Sequence, residues 1–327
     1  MKLSFDQLKN EFERVLLQLS FPKTKASLCA AIFAGNSRDG VYSHGLNRFP
    51  VFVGLIKDGM IDPNAEPELT EANGQLERWN GHGGPGMSNA VDCMNRAIEL
   101  AKTGGVGCVA IHNTNHWMRG GTYGWQAAEA GCIGICFTNA SAGIPPWGGI
   151  NPTLGNNPLV IAVPRNEGHI VLDMAMSQYS YGKLQEYQLK NEKLPFPGGY
   201  DEQGMLTTDP AEIIKTKRAL PIGYWKGSGL ALLLDTVLTS LTGGKSTAQI
   251  NQGGIEVGLS QCFICLHQKD LHPFLINEIL AYTKTSGNSS VRDEVTYPGE
   301  NTLKRRRIND RDGIPVNEKI WESILKM

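Results

Sequence analysis

Apolar positions recur at helical spacing over the first 75 or so residues. Ser4 followed by Gln7 spells a capping box, and Leu8, Phe12, Val15 and Leu16 then fall on one helix face. Thr24 is expected to cap a second helix with Leu28, Ala31 and Ile32 inward. A third helix is expected after Tyr42-Ser43, and Pro63 and Pro67 mark a turn-rich passage. From about residue 75 the period changes. GQLERWN reads as a strand, and Met87, Ala90, Val91, Met94, Ala97, Ile98 and Ala101 form one long amphipathic helix closed by Gly104-Gly105. VGCVAIHN (strand), YGWQAAEA (helix) and CIGICFTN (strand) follow, an alternation that indicates an α/β sheet. LVIAVP and HIVLDMA are two further strands, joined by Arg165 to Gly168. That turn is too short for a parallel crossover, so these strands pair antiparallel and the sheet is mixed. Residues 185–222 are a polar, Pro/Gly-rich excursion, Gly229 to Thr242 a Leu-rich helix, 258–267 a strand, and the tail two helices near 301–309 and 316–326. The expected organisation is a helical domain, 1–74, joined by 178–222 and the C-terminal helices of 300–327. A mixed α/β domain spans 75–299.

Composition narrows the class. Lys plus Arg is 31 and Asp plus Glu is 32, giving 31 − 32 = −1, which argues against phosphate-backbone recognition and so against nucleic acid. Glycine is in excess, 38 of 327 residues against a usual ~7%, and clusters in short runs. No secretory signal and no apolar run near the ~18 residues of a membrane span are visible. Seven scattered cysteines do not suggest a disulfide framework. Cys262 and Cys265 spell CxxC on a strand, where their sulfurs would take opposite faces. A reduced, cytoplasmic, soluble protein is expected.

Chemistry concentrates in four segments. In VYSHGLNR, a helix capped by Ser43 would put His44 and Arg48 on one face, a proton donor beside a carboxylate fork. In NTNHWMRGGTYG, the residues Asn115, His116, Arg119 and Tyr123 are too many polar groups for a mere connection. Thr138-Asn139, Pro145-Pro146-Trp147 and Gly155 to Pro158 read as a rigid wall. GYWKGSGL offers glycines and Lys226 at a helix start, as suits a pyrophosphate, with Asp173 placed to meet ribose hydroxyls or orient a histidine. Gly81 to Gly86 spells GxGxxG, but no acidic ribose partner follows the next strand, and it is read as a plain loop outside a βαβ unit. Lys304 to Arg307 is a solvated helix face or a cofactor contact. His112 and His116 are four apart but lie across a strand end without HExxH, so no metal is expected.

VYSHGLNRFP, NHWMRGGTYGWQAAEAG, PPWGG, GNNPL, DMAMSQYSYGKL, GYWKGSGLALLLD and YPGE, in this order, resemble the malate/L-lactate dehydrogenase family. The resemblance covers nearly the whole chain. It implies an α/β fold of the L-sulfolactate dehydrogenase-like kind: a mixed-sheet, non-Rossmann nucleotide-binding domain with a helical N-terminal domain. It further implies a cytoplasmic homodimer using NADH, with NADPH the alternative, and active sites near the subunit interface. His44 matches the family's catalytic acid. The family's cofactor contacts match His169, Ile170, Val171, Leu172, Asp173, Met174 and Ala175, then Trp225 and Lys226, then Gly299, Glu300 and Asn301. The implied reaction is hydride transfer from NADH to the 2-keto carbon of a small keto acid. Trp117-Met118-Arg119 favours a branch acting on a 2,3-diketo sugar acid over those for malate, lactate, sulfolactate or ureidoglycolate. Within it His44 protonates the developing alkoxide, Arg48 clamps a carboxylate, and Ser43 and His116 hydrogen-bond substrate oxygens. His116 and His44 could exchange roles. The nearest alternative is a malate/L-lactate-type 2-hydroxy acid dehydrogenase of the same family, and the remote one is a sugar-acid binding protein that catalyses nothing.

Overall fold

Ser4 opens the first helix as its capping box requires: its side chain accepts from Gln7 N–H while the Gln7 side chain accepts from the Ser4 N–H. This helix, α1 (Phe5–Gln18), packs on α2 (Lys23–Arg38). Thr24 does not cap α2, because the helix already starts at Lys23 behind Pro22, whose fixed φ leads the chain in. The computed structural model describes residues 1–287 and 294–327. In it α1, α2 and α3 (Phe49–Lys57) enclose a core of Leu8, Phe12, Leu16, Phe33, Phe49 and Phe52. Phe49 is wedged between Phe12 and Phe33, with ring centroids 4.4 and 5.1 Å away. Such pairs add roughly 0.5–1.5 kcal/mol each beyond their buried area.

Seven strands form the main sheet: β1 (Glu68–Asn73), β2 (Leu76–Asn80), β3 (Val106–Thr114), β4 (Ile133–Thr138), β5 (Leu159–Val163), β6 (Ile170–Met174) and β7 (Leu259–Leu266). Their spatial order is β1-β2-β3-β7-β4-β5-β6, and only β2 and β3 pair parallel. The sheet is therefore mixed, and β5 and β6 pair antiparallel as their short turn requires. Helices α4 (Gly86–Gly104) and α5 (Gly121–Glu129) cover one face. The other face carries the Leu-rich helix Trp225–Thr242, α8. Cys265 points to the first face and Cys262 to the second.

Several expectations fail for local reasons. β1 pairs with β2, so the boundary expected at 74 falls inside a hairpin; its wholly exposed residues left no apolar pattern to read. β2, α4 and β3 do form a parallel βαβ unit, contrary to the reading of the GxGxxG run. That loop is nonetheless filled by the protein itself. The Gly81 and Gly83 N–H groups donate to His112 and Asn113 carbonyls, and a Cβ on Gly86 would lie 1.8 Å from the Asn115 carbonyl oxygen. The glycines permit chain-on-chain packing, not ligand approach. The excursion folds as α6 (Tyr181–Leu189) and α7 (Pro210–Thr216) around Leu184, Leu194 and Ile213. α8 runs from Trp225 to Thr242, four residues earlier than expected, and is followed by α9 (Thr247–Gln252). α10 (Pro273–Lys284) was not anticipated and buries no residue. α11 (Glu300–Asp312) and α12 (Glu318–Leu325) close the chain, and Trp321 and Ile324 of α12 join the core of α1–α3. No helix among the described residues is long and apolar enough to cross a membrane.

Candidate active site

His44 sits on a tight turn, not a helix. Two 3₁₀ turns, Tyr42–His44 and Leu46–Arg48, are separated by Gly45 at φ −113°, ψ −125°. The expected helix from Ser43 is therefore broken, and Ser43 caps nothing. The turn is fixed from behind. Asn36 Nδ2 donates to the His44 carbonyl at 2.9 Å, and Leu46 N–H donates to Ser37 Oγ at 2.9 Å. Gly45 is needed because a Cβ there would lie 2.3 Å from Ser37 Oγ. Ser43 Oγ lies 3.0 Å from His44 Nδ1. Burial lowers the proton affinity of His44, Asp173 raises it and Arg48 lowers it, leaving it below the ordinary 6.5.

His116 reaches the same place from the end of β3. Its ring stacks on that of His44, centroids 5.7 Å apart with 16° between planes. Met118, at φ +65°, turns its N–H onto His116 Nδ1 at 3.0 Å. A donated bond at Nδ1 requires a lone pair there, so the neutral ring carries its proton on Nε2. Burial pulls His116 down to about 4, with Glu256 opposing and Arg48 and His44 adding to the fall. The other polar groups of this segment serve the fold. Asn115 Nδ2 donates to the Gly83 and Gly84 carbonyls, and Tyr123 O–H donates to the Trp117 carbonyl.

Arg48 meets a carboxylate the sequence reading missed. Its Nη2 lies 3.7 Å from Glu256 Oε2, while Glu256 Oε1 accepts from Ser141 N–H at 3.1 Å and Ser141 Oγ at 3.0 Å. The only signal was a lone acid in the Gly-rich run GGIEVG. A second ion cluster was equally illegible. Asp39, at the end of α2, accepts from Arg119 Nη1 at 2.6 Å and from Arg306 Nε and Nη2 at 2.7 and 2.8 Å. It joins the helical layer, the sheet and α11. Burial pushes the Asp39 carboxyl up, but Arg306 and Arg119 outweigh it and hold it below 3.8. Within the basic run, Arg306 is thus structural and also covers Trp125, 4.8 Å from the ring centroid. Lys304 pairs with Glu294 and Glu300.

The two histidines border a cavity of about 930 Å³. Ser43, His44, His116, Asp173 and Glu256 line it. So do Val171, Leu172 and Ala175 of β6 and its extension, with Gly299 and Asn301 at the start of α11. His169, Ile170 and Met174 do not: the His169 ring accepts from Arg165 N–H and packs on Trp125, and Met174 faces the core under α8. Glu300 is held aside by Lys284 at 2.9 Å. Arg48 is not itself on the wall, but its Nη2 lies 3.7 Å from Oε2 of Glu256, which is. Trp225 and Lys226 lie outside this cavity and are exposed. The free N–H groups expected there are absent. Lys226, Gly227 and Ser228 N–H donate to the Gly223, Ile222 and Tyr224 carbonyls, because α8 starts at Trp225. Asp173 Oδ2 accepts from Gly121 N–H at 2.9 Å and lies 3.6 Å from Arg119 Nε. No group of three metal-binding side chains occurs among the described residues.

A mixed-sheet core, a histidine pair and a cavity along the edge strand make up the candidate active site. The malate/L-lactate dehydrogenase family model matches residues 3–325, and the chain belongs to that family. Membership implies a nicotinamide cofactor. The 2,3-diketo-L-gulonate reductases of Haemophilus influenzae and Citrobacter koseri are 43% and 42% identical to it over 330 aligned residues, covering 99% of each chain. Among solved structures, malate dehydrogenase from Entamoeba histolytica superposes with a TM-score of 0.93 at 25% identity, covering 100% of this chain and 96% of that one. Sulfolactate dehydrogenase from Methanocaldococcus jannaschii gives 0.88 at 29% identity, covering 99% and 95%. The cavity fits a dinucleotide. Asn301 and Thr302 line it from the first turn of α11, where helix N–H groups lack intrahelical partners and suit a phosphate. Gly299, at φ +94°, lets that turn close on β6: a Cβ there would lie 3.0 Å from Val171 N.

Proposed function

We propose that the protein reduces 2,3-diketo-L-gulonate to 3-dehydro-L-gulonate with NADH, the cofactor that the motif resemblance implies. The observation that carries the reading is the stacked His44–His116 pair, whose Nδ1 atoms face different groups: Ser43 Oγ for His44 and the Met118 N–H for His116. When bound, the cofactor supplies the hydride for C2 of the keto acid. His44 gives its proton from Nε2 to the developing alkoxide, since Nδ1 faces Ser43 Oγ. Asp173 favours the charged ring before transfer. His116 stays neutral and donates a hydrogen bond from Nε2 to a substrate oxygen, because Met118 N–H occupies Nδ1. Arg48, steadied by Glu256, takes the substrate carboxylate, and Ser43 adds a hydroxyl contact.

Val171, Leu172, Asp173 and Ala175 with Gly299 and Asn301 hold the cofactor along the edge strand. The active form is a homodimer. Its support is the outer face of α8, where Trp225, Leu232, Leu233 and Val237 are 65%, 54%, 60% and 41% exposed. A contiguous apolar face of that kind marks an interface. Trp225 and Lys226 then serve the cofactor at the subunit boundary. Seven free cysteines support a reducing, cytoplasmic compartment.

The test is absorbance at 340 nm with a panel of 2-keto acids, NADH and NADPH in parallel. Loss of absorbance with 2,3-diketo-L-gulonate and NADH, faster than with the keto forms of malate or lactate, is expected. Turnover confined to those two acids, or none at all, overturns the reading.

A further inference from the structure

Glu256 has no chemical step in the reaction above, yet it shares the cavity wall with Ser43, His44 and His116. It stands between Gly253-Gly254 and Gly258, outside every helix and strand. Its two hydrogen bonds, both from Ser141, fall on Oε1. Oε2 accepts none among the described residues, and its close charge, Arg48 Nη2 at 3.7 Å, is beyond hydrogen-bond range. A carboxylate has about four acceptor positions, so Oε2 keeps capacity for a donor. Burial pushes the Glu256 carboxyl up, but His116, Ser141 and Arg48 outweigh it, and the group is charged at neutral pH. A keto acid brings one carboxylate, which Arg48 can take. A dicarboxylic acid brings a second, which meets the Glu256 charge with Arg48 already shared.

We propose that Glu256 determines specificity. Its Oε2 accepts a hydrogen bond from a hydroxyl of a polyhydroxylated, monocarboxylic 2-keto acid, and its charge turns away a second carboxylate. The inference rests on the 2-keto acid reading and narrows it to a substrate class.

Initial rates with NADH are compared for 2,3-diketo-L-gulonate and oxaloacetate, in the unaltered protein, Glu256→Gln and Glu256→Asp. Glutamine keeps an acceptor for Ser141 and removes the charge. The kcat/KM ratio of oxaloacetate to diketogulonate should rise about 10- to 100-fold in Glu256→Gln, the scale of a hydrogen bond to a charged group. It should stay low in Glu256→Asp, which retains the charge. An equal change for both substrates overturns the proposal, since Glu256 then acts only by positioning Arg48 or His116. If the unaltered protein reduces neither acid, the reaction assigned above fails instead. Calorimetric titration with L-gulonate and with malate then decides Glu256 separately. A preference for gulonate that shrinks in Glu256→Gln supports the proposal, and an unchanged preference overturns it.

Discussion

His44 and His116 lie ring over ring, 5.7 Å between centroids, and the Met118 amide makes them unequal. With its Nδ1 lone pair engaged and its proton affinity down at about 4, His116 is neutral through the physiological range. His44 is also lowered from 6.5, by burial against the pull of Asp173. Keto-acid reduction needs His44 protonated, so kcat/KM for reduction should be highest at acid pH and fall as pH rises through a value below 6.5. Oxidation of the hydroxy acid should rise over the same window. Initial rates in both directions between about pH 5 and 8 check this. A reduction rate that climbs with pH contradicts it.

Asp39 ties Arg119 and Arg306 together across three layers. Asp39→Asn leaves the buried Arg119 guanidinium short of charge, which should cost about 3–5 kcal/mol of stability at pH 7. The Asp39 carboxyl is depressed below 3.8, so its contribution is present above that value and is lost as pH falls through the lower folded value. The gap between the variant and the unaltered protein should therefore narrow in strong acid. Urea midpoints at pH 7 and pH 3 measure it; equal gaps, or none at pH 7, would remove the ion cluster from the account.

Leu233, 60% exposed on the outer face of α8, is where the proposed dimer is most exposed to disruption. Leu233→Glu should give a monomer by analytical ultracentrifugation with the fold intact by circular dichroism. NADH affinity should fall with it, because Trp225 and Lys226 then lose the boundary at which they act. A variant that stays dimeric, or a monomer that binds NADH normally, speaks against that arrangement.

Most of the sheet was legible because its strands and helices carry clean apolar periods, as at Leu159–Val163 and along Met87 to Ala101. The hairpin strand Glu68–Asn73 was not, because every residue in it is exposed and polar or small apart from Leu69. α10 was missed although Leu275, Ile276, Ile279 and Leu280 recur at helical spacing, and the structure leaves this apolar helix without a buried residue. At the site, His44 and His116 could be picked out by residue type and motif. Their stacking could not, since it depends on Gly45 breaking the helix and on Met118 adopting a positive φ. Glu256 and Asp39 were invisible because these partners lie 80 or more positions away in sequence. Trp225 and Lys226 carried the right composition for a phosphate loop, but their helix begins too early to leave its amides free.

The division of labour between the two histidines is tested most directly by turnover of His44→Ala and His116→Ala, with NADH binding followed by protein-to-cofactor fluorescence transfer. His44→Ala should bind NADH near normally and lose roughly 10²–10⁴ in kcat, the scale of a missing general acid. His116→Ala should lose a hydrogen bond to substrate, raising KM more than it lowers kcat, and should keep the acid limb of the pH profile. If His44→Ala turns over normally while His116→Ala is inactive, the proton comes from His116 and the account is contradicted.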